Sequence, residues 1–102
     1  MQIASQVVDS KAVLNLNGRF DFHSHRDFRA AYEAALEAPP VREIEINFVA
    51  VDYLDSSALG MLLLLREKAE GLGKRVVLAG LRGTVKQVLD IANFGKLFLV
   101  KP

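Results

Sequence analysis

Between an apolar, strand-like segment and a leucine-rich, helix-like one lies Leu54-Asp55-Ser56-Ser57-Ala58-Leu59-Gly60, the stretch of this chain best equipped for chemistry. It sets one carboxylate and two hydroxyls where a strand hands over to a helix. Backbone N–H groups in the first turn of a helix lack intrahelical partners and carry the positive end of the helix dipole. An Asp or Ser accepts from them as a cap, and a phosphoryl group is suited to the same place. The stretch reads either as a cap or as a switch.

A second polar concentration is Phe20-Asp21-Phe22-His23-Ser24-His25-Arg26-Asp27. Asp21, His23, His25 and Asp27 invite metal ligation, but a structural site wants four defined ligands, and Arg26 and the onset of a helix crowd this one. Capping by Asp21 or Ser24, with two surface histidines, is the preferred reading. Arg19, Arg26 and Arg29 add a positive face able to meet an acidic partner, although a solvated face is the commoner use of such charge. No Gly-rich phosphate loop and no nucleophile elbow occur, so the chain is expected to be neither a nucleotide hydrolase nor a Ser–His–acid enzyme, and to need no cofactor or metal. Leu59 and Leu63 lie off the inner line of the leucine-rich helix beside Arg66, Glu67 and Glu70. If exposed, they make a hydrophobic anchor for a partner next to Ser56.

The elements that must hold these residues follow from periodicity. Ile3 to Val8 and Ala12 to Leu16 are strand candidates separated by Asp9-Ser10-Lys11, a break of hairpin length. Gly18 to Asp21 reads as a loop, after which Phe28, Ala31, Tyr32, Ala35 and Leu36 make one helical stripe that Pro39-Pro40 must stop. Val41 to Phe48 alternates Ile44, Ile46 and Phe48 with Glu43, Glu45 and Asn47, the pattern of a strand with one partly open face. A loop over Val49 to Leu54 leads to the second helix, with an inner line of Ala58, Met61, Leu62, Leu65, Ala69 and Leu72. Gly71-Leu72-Gly73 suits a left-handed helix end, and Arg75 to Ala79 supplies another strand. Thr84 is the expected cap of a third helix with Val85, Val88, Leu89 and Ala92 inward and Gly95 as its stop, before a last strand at Leu97 to Val100. This order implies an α/β domain with a mixed β-sheet and helices packed mainly on one side.

Bulk composition sets the limits. At 102 residues and 51% hydrophobic content, the chain is expected to form a single domain over 1–102. Thirteen basic against twelve acidic residues leave a net charge of +1, no field for attracting nucleic acid or an anionic membrane, so specific protein contacts are the expected currency. The absence of cysteine rules out a disulfide framework and suits a reducing cytoplasm. The apolar run from Ala58 to Leu65 meets Arg66-Glu67-Lys68 well short of the about 20 residues that span a bilayer, so no membrane insertion is expected.

Asp55-Ser56-Ser57-Ala58-Leu59-Gly60 resembles the Asp-Ser-Ser-Gly-Leu-Gly signature of STAS domains, the fold shared by anti-sigma factor antagonists and sulfate-transporter tails. Gly18-Arg19-Phe20-Asp21 resembles the family's Gly-x-Leu-Asp after its second strand. Asn47 matches a polar residue common at the end of the third strand, and Val76 to Gly80 the strand before the last helices. The resemblance covers nearly the whole chain. It implies an anti-sigma factor antagonist in which a partner that is both anti-sigma factor and serine kinase phosphorylates Ser56, and a serine phosphatase reverses it. It also places Asp21 near that serine, so that Asp21, Asp55, Ser56, Ser57, Leu59 and Leu63 form the expected partner-binding set. The alternative is a structural subunit docked permanently on a transporter ATPase or other assembly, with Ser56 as contact or cap. Two features depart from the family: Ala58 stands where glycine is usual, and the sequence stops soon after the last strand candidate, where many members add a closing helix.

Overall fold

Asp9 adopts a positive φ of 55°, a backbone state that Asp tolerates better than most residues, and so turns the chain back on itself within two residues. The strands it joins, β1 (Gln2–Val8) and β2 (Lys11–Phe20), pair antiparallel from Val8↔Lys11 to Gln2↔Asn17. The computed structural model describes residues 1–101. Beyond β2 follow α1 (His25–Glu37), β3 (Glu43–Leu54), α2 (Ser56–Gly71), β4 (Arg75–Ala79), α3 (Gly83–Ile91) and β5 (Leu99–Lys101). The five strands form one sheet in the order β1-β2-β3-β4-β5; β2 to β5 run parallel and β1 is antiparallel at its edge.

One sheet face carries the core. Ala12↔Ile44↔Val76 and Leu14↔Ile46↔Leu78 align across three strands, and these residues are almost fully buried with Leu16, Phe20 and Phe48. Phe28, Tyr32, Ala35 and Leu36 of α1, Ala58, Met61, Leu62, Leu65 and Ala69 of α2, and Val85 and Leu89 of α3 close over them in the same cluster. Aromatic packing fastens α1 to the end of β2, with ring centroids of Phe20 and Phe28 4.8 Å apart and those of Phe28 and Tyr32 5.4 Å apart. Helix α1 ends where expected: Ala38 is extended (φ −70°, ψ 118°), as the residue before a proline prefers to be. Lys74 donates its Nζ to the carbonyl of Leu36 at the helix end and to that of Ala38, which also accepts from the N–H of Val41.

Among the described residues no helix covers the opposite face. Glu45 nevertheless lies buried there, because Lys11 and Lys101 from strands on either side place Nζ at 3.2 and 3.1 Å from its Oε1. Arg75 pairs with Glu43 at 3.1 Å, and Asn47 Nδ2 donates to Asn15 Oδ1 at 2.9 Å. This lattice, rather than a packed layer, covers Val13 and Val77.

Several boundaries differ from those expected. Gly18 to Phe20 and Val49 to Leu54 are strand, not loop, paired as Gly18↔Val51, Arg19↔Tyr53 and Phe20↔Leu54. Register shifts at Asn15/Asn17 and Gly18/Arg19 break the two-residue period by which strands are recognised, so the pattern dissolves where the ladder continues. Leu72 is 57% exposed rather than inward, because the chain leaves helical geometry at that residue before Gly73 (φ +70°). Arg82, not Thr84, is the N-cap residue of α3; its Nε and Nη2 donate to the carbonyl of Val49 at 3.0 and 2.6 Å and pin the helix start to β3. Asn93 in left-handed geometry (φ 60°), not Gly95, ends α3. The last strand begins at Leu99 rather than Leu97, since Phe94 to Lys96 form a 3-10 turn and Leu97 caps it.

Candidate functional site

Helix α2 starts at the carboxyl end of β3, and its first turn is organised by Asp55. The residue is extended (φ −112°, ψ −178°), and its Oδ1 accepts from the N–H of Ser57 at 3.0 Å and of Ala58 at 3.1 Å. The Ser57 hydroxyl donates to the same oxygen at 2.5 Å. That hydroxyl, followed by the N–H groups of Ala58, Ser57 and Phe22, holds the carboxyl below its ordinary value against the opposing pull of partial burial. Asp55 is thus an anion whose Oδ1 is committed to the helix start.

Ser56 is left differently placed. It occupies the first helical position, is exposed, and its hydroxyl has no hydrogen bond to another protein group among the described residues. The two serines read as a pair in the sequence are therefore distinct: Ser57 is bound into the cap, whereas Ser56 is presented.

The Asp21 turn stands beside this one. The N–H of Asp55 donates to the carbonyl of Phe20 at 3.2 Å, tying the end of β3 to the end of β2. Asp21 Oδ1 accepts from the N–H of His23 at 3.0 Å, and the N–H of Asp21 donates to Ser24 Oγ at 3.3 Å, a reciprocal capping box for a 3-10 turn at Phe22–Ser24. Arg19 Nε lies 3.8 Å and His23 Nδ1 3.5 Å from the Asp21 carboxylate. Arg19 also stacks over Tyr53, 4.1 Å from the ring centroid. Among the described residues no three His, Asp or Glu side chains converge on a point where an ion could sit; His23 packs on Phe22 instead, with ring centroids 3.9 Å apart.

On α2, Leu59 and Leu63 part company. Leu59 is partly buried against the core, while Leu63 is 40% exposed. Ser56, Gly60, Leu63 and Glu67 form an exposed stripe at spacings of four, three and four. Sequence reasoning missed the flank of this stripe, where Leu64 (48% exposed) and Phe22 (65% exposed) line an open hollow of about 410 Å³ with His25, Ser57, Gly60 and Met61. A signal existed: Ser57, Gly60, Met61 and Leu64 follow the spacing of one helix face. Phe22 carried none, because only the folded turn brings it there.

The family model described as Mlab, STAS domain, matches residues 3–101. The chain belongs to the STAS-domain family. A STAS-domain containing protein of Pseudomonas aeruginosa (strain UCBPP-PA14) is 45% identical to this STAS domain over 87 residues, covering 85% of this chain and 84% of the relative. An anti-sigma F factor antagonist of Lysinibacillus sphaericus is 27% identical over 89 residues, covering 87% of this chain and 76% of its own. Among solved structures, a putative anti-sigma factor antagonist from Thermotoga maritima superposes with a TM-score of 0.86 at 18% identity, covering 96% of this chain and 84% of that one. The Bacillus antagonist SpoIIAA superposes in its unphosphorylated form with a TM-score of 0.77 (24% identity, 99% of this chain and 88% of that one). Its phosphorylated form gives 0.75 (24% identity, 99% and 92%). A sulfate transporter family protein from Wolinella succinogenes also shares the fold, with a TM-score of 0.76 at 16% identity, covering 89% of this chain and 73% of that one.

Proposed function

We propose that this STAS domain is an anti-sigma factor antagonist, a non-enzymatic module of the cytoplasm that binds an anti-sigma factor with serine-kinase activity, or a related regulator, while Ser56 is free. Phosphorylation of Ser56 releases that partner, and a serine phosphatase restores binding. The observation that carries the proposal is the exposed, unpartnered Ser56 hydroxyl beside a carboxylate and a neighbouring serine that satisfy each other. Asp21 on the adjacent turn and Leu63 on the same stripe supply polar and apolar contacts around it. Leu59, partly buried against the core, acts by holding the stripe in place.

The cap changes how the switch operates. A phosphoryl group adds about −1.5 to −2 charges at neutral pH. The N–H groups of Ser57 and Ala58, which a helix start normally offers to an anion, already serve Asp55. The phosphate therefore stands outward beside a second anion instead of being absorbed by the helix, and a partner surface built for a neutral hydroxyl meets unmatched charge at a cost of several kcal/mol. No refolding is required. The nearly equal superposition on both forms of SpoIIAA supports this, with TM-scores of 0.77 and 0.75.

In partner capture, Ser56→Ala is expected to bind constitutively and Ser56→Asp to fail; equal capture by wild type and both variants would sink the switch. The shared fold of the sulfate transporter protein favours a second reading, permanent docking on a transporter ATPase or other assembly with Ser56 as an unmodified contact. Intact mass of the protein from its native cell separates the two. A phosphorylated population supports the switch, and a single unmodified mass with stoichiometric co-purification of an ATPase supports the docked subunit.

A further inference from the structure

The sheet has two edges, and they are built differently. At one, β5 is three residues long, and its Lys101 is turned to Glu45. Short, charged edge strands resist pairing with another chain. At the other, β1 offers seven residues, Gln2-Ile3-Ala4-Ser5-Gln6-Val7-Val8, with no charge, no proline and an unbroken one-to-one register with β2. Val7 and Val8 are 52% and 54% exposed. Among the described residues its outer row of N–H and C=O groups has no partner strand.

We propose that β1 pairs antiparallel with β1 of a second copy about a two-fold axis through Ser5, joining two five-stranded sheets into one. The strand is complementary to itself in that register. Residues whose numbers add to ten face each other, so Ile3 meets Val7 of the other copy twice, Ser5 meets Ser5, and Ala4 meets Gln6. Ile3, Ser5 and Val7 share the helix-side face with their β2 partners Leu16, Leu14 and Ala12, so the two Ile–Val pairs extend the existing core row. Cross-strand pairs of β-branched residues are the favourable kind. The register selects the occupant: a second copy matches this strand residue for residue and, the strand being uncharged, sets no like charges opposite each other, while a charged peptide gains no ion pair from it.

The helix above leaves room. Arg29 and Glu33 lie on the α2 side of α1, where Glu33 meets Lys68 at 2.8 Å. The opposite flank of α1 bears Asp27 in its first turn and then only the small Ala31, Ala34 and Ala38, so no large side chain walls off most of the edge. Because the paired strands run antiparallel, the carboxyl ends of β3 in the two copies point in opposite directions. Both Ser56 turns remain open, one at each end of a ten-stranded sheet, and the dimer is bivalent. The pairing does not depend on what binds at Ser56.

The chain has no cysteine, so Ser5→Cys creates a single thiol whose only route to a disulfide is a second copy. Facing residues of antiparallel strands lie close enough for that bond. Under mild oxidation Ser5→Cys is expected to give a disulfide-linked dimer much faster than Ser10→Cys, which sits in the exposed hairpin turn beyond the paired segment. In sedimentation velocity the wild-type mass should rise from 11.3 kDa toward twice that value with increasing concentration. Ser5→Lys, which sets two like charges opposite each other at the axis, should weaken association about tenfold or more while keeping its circular dichroism. Three results would overturn the proposal: a wild type that stays monomeric into the sub-millimolar range, cross-linking of Ser5→Cys no faster than that of Ser10→Cys, or a dimer indifferent to Ser5→Lys. Should Ser5→Lys fail to fold, the cross-linking comparison decides alone.

Discussion

At the scale of single residues, Asp55 does more than mark the start of a helix. Its carboxylate takes three donors on one oxygen, two from backbone and one from Ser57, and thereby decides that Ser56 and not Ser57 faces solvent. Because the folded protein holds the Asp55 carboxyl below its ordinary value, the group stabilises the fold above about pH 4 and loses that contribution as pH falls through its lowered value. Asp55→Asn keeps a capping oxygen but cannot titrate. The stability gap between wild type and Asp55→Asn, measured by urea unfolding, is expected to be full at neutral pH and to close progressively in acid; a gap that widens in acid would contradict the ion's role. Asp55 and Ser56 were legible from the chain because cap chemistry is local. Phe22 and Leu64 were not, because whether an apolar side chain is open to solvent depends on what the rest of the chain brings over it.

At the scale of elements, the turn after β4 shows a backbone constraint that the residue pattern only hints at. Gly80 has φ +71°, and a Cβ there would stand 2.6 Å from Asn47 Oδ1 and 2.9 Å from the Val49 nitrogen. Asn47 Oδ1 accepts from that same Val49 N–H at 3.1 Å, so the close approach of β4 to β3 and the local bond in β3 depend on each other. Gly80→Ala is expected to destabilise the domain by about 2–3 kcal/mol, read as a lowered denaturation midpoint, because both the dihedral and the contact must be relieved. Helix α2 supplies the contrasting case. Leu63→Asp, on the exposed stripe, should hold the melting temperature within about 4 °C while reducing partner capture. Leu59→Asp, which drives a carboxylate against the core, should cost about 2 kcal/mol or more by thermal melting. Equal losses for the two would place both leucines in the core. Helix stripes were readable because their period holds within each helix, failing only at Leu72 where α2 has already ended; β2 and β3 were read short because register shifts erase theirs.

At the scale of the whole molecule, the sheet is covered on one face by helices and on the other by its own charges. Val13, Glu45, Val77 and Leu99 lie in one row across β2 to β5, and Glu45 interrupts what would otherwise be an apolar band. Lys101 and Lys11 donate to it and keep its carboxyl below the ordinary value, although burial, the largest single influence, pushes the other way. Glu45→Leu completes the band and releases both lysines. The variant is expected to keep its circular dichroism but to scatter light at lower concentration than wild type, and unchanged scattering would remove Glu45 from this role. The sequence by itself determined most of the inward line of each helix, Leu72 excepted, the alternation of β3, the cap at Asp55 and the family, because each depends on neighbours within a few positions or on a contiguous motif. Only the tertiary structure decided that Ser57 is spent on the cap, that Leu64 and Phe22 line a hollow with Ser57 while Leu59 packs partly against the core, and that a buried glutamate closes the uncovered face. Each of these depends on pairing across strands or between turns far apart in the chain, and no local period records such distances.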